Sequence, residues 1–140
     1  MNANDAALTG LATAQTGSRV HDAAPNAPAG GGFDLILGAV AGSALGSSGA
    51  PYTLTISAID LTAASQPWPP QILHQAFDSA SGWTLSGTGP DYETTQPIPH
   101  TVPGGPGGPL AGHTLQFVAS LVSQGAQIVT IRQSDPFVLI

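Results

Sequence analysis

The chain has 140 residues with two Arg, no Lys, eight acidic residues, four His and no Cys, for a formal net charge of −6. Charged residues make up 7% of it, against roughly 25% in an ordinary soluble domain. This balance argues against a nucleic-acid partner and against electrostatic attachment to an anionic membrane, and the missing Cys excludes a disulfide framework, a thiolate zinc site and a thiol nucleophile.

Gly and Pro together supply 31 of the 140 residues, and the length suits one domain. That composition fits an all-β protein punctuated by turns. The start, Met1-Asn2-Ala3-Asn4-Asp5, has neither a basic n-region nor a continuous apolar h-region. With Met1 as the native start, the expected location is the cytoplasm or a particle assembled there, such as a virion.

Residues 1–32 read as a separate region, an extended Ala/Gly/Pro-rich N-terminal arm. Its large apolar side chains are few (Leu8, Leu11 and Val20), too few to fold alone. Residues 5–14 are compatible with a short helix capped by Asn4, and Gly30-Gly31-Gly32 reads as a hinge. An arm of this kind is expected to reach across to a neighbouring subunit, so that deleting it would leave a folded monomer unable to assemble. The competing expectation is an arm lying on its own domain.

From Phe33 onward the pattern is β. A weak strand is expected over 33–40, although the glycines between 38 and 49 leave 33–50 ambiguous. Tyr52, Leu54, Ile56 and Ala58 alternate with Thr53, Thr55 and Ser57, the period of a half-buried strand. Weaker strands follow at 71–77, 82–86 and 92–102. The last carries Pro97 and Pro99, which cannot donate to a ladder, so it is expected at a sheet edge. Leu115, Phe117, Ala119 and Leu121 mark another half-buried strand, Ser123-Gln124-Gly125 a turn, and 126–132 the return strand. A final strand is expected over 136–140, with Pro136 at its start or at a bulge. The 33–140 region thus predicts a single antiparallel β-sandwich of seven to eight strands. The hairpin from Leu110 through Phe117 to Ile131 resembles the last hairpin of immunoglobulin-like and fibronectin-type-III-like sandwiches, a likeness that implies an interaction or scaffold role. The Cys pair of antibody domains is absent.

The candidate chemistry is sparse. His74, His100 and His113 with Asp78, Asp91 and Glu93 could in principle form a metal or acid–base site, but no His-x-His or His-Glu-x-x-His spacing occurs. No Gly-x-Ser-x-Gly elbow is present, and no Lys follows the Gly-rich runs as a phosphate loop requires. No catalytic residue, metal or cofactor is therefore expected. Trp83, Phe117, Tyr52 and Phe137 fall on apolar strand positions and read as core. Trp68 sits in Pro67-Trp68-Pro69-Pro70, where a rigid aromatic is either a contact anchor or a lid folded over the end of the sandwich.

Two functions follow as expectations. The first is a non-enzymatic structural subunit of a filament, fibre or virion that assembles with copies of itself or with other subunits. Its strands lack the Lys residues that usually guard exposed edges. The alternative is a carbohydrate- or protein-binding module that uses Trp68, Tyr92 and the 103–109 loop, with a glycan or a protein as its partner.

Overall fold

The structure is a computed structural model and describes residues 1–28, 30–103, 110, 112–124 and 128–140. Among these residues nine strands form two antiparallel sheets that pack face to face, an all-β sandwich. In sheet one the order is β1 (Ala6–Gln15), β2 (Gly32–Ala41), β6 (Tyr92–Thr101) and β5 (Thr84–Leu85). In sheet two it is β4 (Gln71–Ala76), β3 (Pro51–Asp60), β7 (Thr114–Ser123) and β8 (Val129–Gln133), with β9 (Phe137–Val138) also paired to β7. The chain changes sheet between β2 and β3, between β4 and β5, and between β6 and β7. No helix among the described residues is long and apolar enough to cross a membrane.

The inward positions of the two sheets make the core. Leu35 and Leu37 on β2 face Leu54 and Ile56 on β3 and Leu115 to Leu121 on β7, all at most 2% exposed. Aromatic rings close both ends. Phe33, Phe117, Phe137, Trp68 and His100 cluster at one end, and Tyr52, Phe77 and Trp83 at the other. Tyr52, Trp83, Phe117 and Phe137 are buried, as their strand positions predict.

Residues 1–32 are not an extended arm, and 5–14 are not helical. β1 pairs with β2 along its whole length, from Ala6 opposite Ala41 to Gln15 opposite Phe33. Ala6, Leu8 and Leu11 are buried in the common core. Small side chains suffice because the neighbouring strand supplies the bulk. The connection from β1 to β2 is held as firmly. Thr13 exchanges hydrogen bonds with Asp22, whose N–H donates to the Thr13 carbonyl while the Thr13 hydroxyl donates to the Asp22 carbonyl. Residues 23–27 then run parallel to the C-terminal residues. Val138 N–H donates to Ala23, Ile140 N–H to Pro25, and Ala27 N–H to Ile140. Pro25 falls where the ladder can do without its donor.

β6 behaves as its prolines require. Pro97 pairs with Ile36 and Pro99 with Asp34. Proline has no N–H, so these must be the non-bonded pairs of the ladder, and the odd-numbered residues turn their backbone groups away from β2. On that side β5 covers only Tyr92 and Glu93. Most of β6 is therefore a free edge bearing carbonyls and few donors. Between β8 and β9 the chain breaks at Ser134. Its N–H donates to the Phe117 carbonyl and its hydroxyl accepts from Phe117 N–H, which leaves Pro136 outside the ladder.

Candidate functional site

Trp68 folds back onto the sandwich and lines a cleft at the same time. Its indole N–H donates to the Thr101 carbonyl at 2.9 Å. One ring face stacks on Phe117, with centroids 5.8 Å apart and planes 18° apart, and Phe33 and His100 meet it edge-on. Its remaining surface, with Pro69, Pro70, Gln71, Pro99, His100 and Thr101, lines an open cleft of about 330 Å3. Burial holds the His100 imidazole below its ordinary pKa, against the raising effects of the Ile98 carbonyl and the Asp34 charge.

Tyr92 lies elsewhere. It opens β6, whereas Trp68 binds Thr101 at the strand's other end. Nine steps of about 3.3 Å separate the two ends of that strand by about 30 Å. Tyr92 packs against Gly46, where an added Cβ would approach the Tyr92 ring to within 2.6 Å. The two aromatics therefore share no site, and residues 104–109 of the proposed binding loop lie outside the described residues.

The histidines and carboxylates are also dispersed. His74 stands on the outer face of β4. Asp78 caps a 3-10 turn by accepting from Ser81 N–H at 3.0 Å. Asp91 meets the N-terminal amine of Met1 at 3.6 Å, and Glu93 is exposed on β6. The sequence reading did not foresee the Asp60–His113 pair, whose Oδ2 and Nδ1 lie 2.6 Å apart. Asp60 is buried, and Oδ1 accepts the N–H groups of Thr62 and Ala63. Burial alone would raise its carboxyl pKa. The bonds from His113, Ala63 and Thr62 outweigh it and hold the group below its usual value. This pair fastens the turn after β3 to the start of β7, and both carboxylate oxygens are occupied. Among the described residues no three His, Asp or Glu side chains gather as a metal site would require.

The other end of the sandwich holds a closed polar network. The Tyr52 hydroxyl accepts from the Trp83 indole at 3.0 Å and donates to Gln75 Oε1 at 2.7 Å. Gln75 in turn exchanges amide hydrogen bonds with Gln96. This bridges β3 and β4 of sheet two to β6 of sheet one. Burial pushes the Tyr52 hydroxyl above its ordinary pKa, so it stays protonated as a donor.

Among the described residues nothing packs on the outer face of sheet two. The β-register sets its rows. Val129, Val122, Thr53 and His74 form one row, and Ile131, Ser120, Thr55 and Ile72 the next. Val118 and Ser57 follow, then Gln116 and Ile59. No Asp, Glu, Lys or Arg stands on these positions. Ile131 is 65% exposed, Val129 59% and Ile72 57%. A scan against protein-family models finds no match, and a search of curated proteins finds none either.

Proposed function

We propose that this protein is a structural subunit, not an enzyme, and that it assembles with copies of itself through the outer face of sheet two. The observation that carries the reading is the chemistry of that face. It combines exposed aliphatic side chains with Thr, Ser and Gln, and it has no formal charge across four strands. A chain of net charge −6 repels its own copies wherever its carboxylates face them. On this face two copies meet without like-charge repulsion, and its β-branched side chains suit sheet-on-sheet packing. A symmetric contact needs such a self-complementary patch.

The order of the strands supports a scaffold role. With the strands lettered in chain order, β1-β2-β6-β5 over β4-β3-β7-β8 reads as ABED over C′CFG, a strand order like that of immunoglobulin-like sandwiches, and this likeness supports the reading. The N-terminal segment plays no part in this assembly, because it is spent within its own fold.

Sedimentation of the full chain over a wide concentration range tests the reading. The native protein is expected to associate, and Ser120→Arg, which puts like charges at the centre of the contact, to stay monomeric with an unchanged melting temperature. A native chain that remains monomeric at millimolar concentration overturns it.

A further inference from the structure

The cleft beside Trp68 has a chemistry independent of the assembly face. Its volume, about 330 Å3, lies at the small end of the range for ligand pockets. Its walls are rings. The Trp68 indole is fixed by the stack on Phe117 and the bond to Thr101, and Pro69, Pro70 and Pro99 add rigid pyrrolidines. Such a surface loses little conformational entropy when it is covered. None of the described residues that line it is Asp, Glu, Lys or Arg.

Its backbone hydrogen-bonding groups are one-sided. The free edge of β6 turns the carbonyls of its odd-numbered residues outward. Arg19 takes Thr95 and Trp68 takes Thr101. Between them the carbonyls of Pro97 and Pro99 receive no donor from the described residues, and proline has no N–H of its own to offer. The indole N–H is already spent. A ligand here must present a saturated apolar face to the rings and donate hydrogen bonds to a carbonyl. A proline-rich peptide offers acceptors and almost no donors, so it fits the rings and not the edge. A sugar ring fits both.

We propose that this cleft binds a neutral sugar residue of an oligosaccharide, its C–H face on Trp68 and the prolines and a hydroxyl donating to the Pro99 carbonyl. The Gln71 amide, at the rim, can donate to or accept from a second hydroxyl. The 15N-labelled full chain is titrated with cellohexaose, xylohexaose, mannohexaose, laminarihexaose and chitohexaose at millimolar concentration, and with decaproline as the opposing chemistry. The Trp68 indole N–H signal is expected to shift with at least one sugar, while that of the buried Trp83 stays still. Trp68→Phe should weaken the affinity about tenfold, the scale of a good aromatic contact. Gln71→Ala, at the half-buried rim, should weaken it with little change in melting temperature, and reads the same site if Trp68→Phe fails to fold. Three results overturn the proposal: no sugar moves the Trp68 signal, decaproline moves it and the sugars do not, or the shifts map away from the cleft.

Discussion

The two outer faces of the sandwich are treated differently by the chain. One corner of the outer face of sheet one is covered by its own N-terminal connection. Ala14 and Asp34 are on outward positions and yet buried. The reason is the segment after β1, whose Gly17 N–H donates to Asp34 Oδ2 at 2.9 Å and whose Arg19 reaches the Thr95 carbonyl at 3.3 Å. Among the described residues sheet two has no such strap. The contrast teaches where the charge shortage matters. Sheet one keeps its few charges, Asp34 holding that partial cover and Glu93 exposed on β6 beside Thr95, Pro97 and Pro99, whereas the outer face of sheet two has no Asp, Glu, Lys or Arg. The uncharged face is the one that a copy of the same net charge would take.

The largest effect should come from removing the cover together with its strand. Deleting residues 1–32 takes away β1, its buried Ala6, Leu8 and Leu11, and the ladder against the C-terminus. The loss should exceed the total stability of a typical domain, about 5–15 kcal/mol. The truncated chain is expected to lose its near-ultraviolet circular dichroism and its thermal transition. A folded truncated monomer would return residues 1–32 to the role of an arm. Leu11→Ala is the gentler version. It should cost about 2–5 kcal/mol in urea unfolding, and a cost near zero would show that β1 is not part of the core.

β1 was the element hardest to read from sequence, and the reason is physical. Its inward residues are Ala6 and Leu8, then Leu11 and Thr13, because the register shifts between Leu8 and Gly10. That bulge breaks the two-residue alternation in the middle of the strand, and the Ala and Thr around it have weak transfer energies. β3 and β7 keep perfect alternation, and their extents were legible. The prolines of β6 announced an edge; the strand lies between β2 and β5, but β5 pairs only with Tyr92 and Glu93, so among the described residues the proline-bearing stretch has no strand on that side. The site was less legible. The segment that carries Trp68 promised either a lid or an anchor, and geometry alone places its ring half in the core and half in a cleft. The outer face of sheet two needed the register of four strands, since no single strand shows that its uncharged positions align.

Acid should act on the fold through Asp60. Asp60 is held below its unfolded pKa of 3.8 by His113 and two backbone N–H groups. A depressed carboxyl contributes stability that is fully present above the unfolded value and is lost as the pH falls through the lower folded value. Melting temperature should therefore drop more steeply below about pH 4 in the native chain than in Asp60→Asn. The variant should be less stable at pH 7 and flatter towards acid. Parallel profiles would remove Asp60 from the acid response. Association through the outer face is accordingly measured above this window, where the fold is constant.

The smallest change sharpens the comparison most directly, because it alters each face by one side chain. Ile131 is 65% exposed on sheet two, and Val20 is 74% exposed on the segment that covers one corner of sheet one. Both become Thr, which keeps the β-branch and removes aliphatic surface without adding charge. Neither should shift the melting temperature much, since surface substitutions usually fall within about 0.5 kcal/mol. If the uncharged face is the contact, Ile131→Thr exchanges an ethyl group for a hydroxyl on each copy, roughly two carbons at about 0.8 kcal/mol each. The two-fold contact loses that twice, about 3 kcal/mol, so the association constant should fall by about two orders of magnitude. Val20→Thr should leave it unchanged. Equal losses would mean that self-association is unspecific, and a loss confined to Val20→Thr would move the contact to the face the chain partly covers.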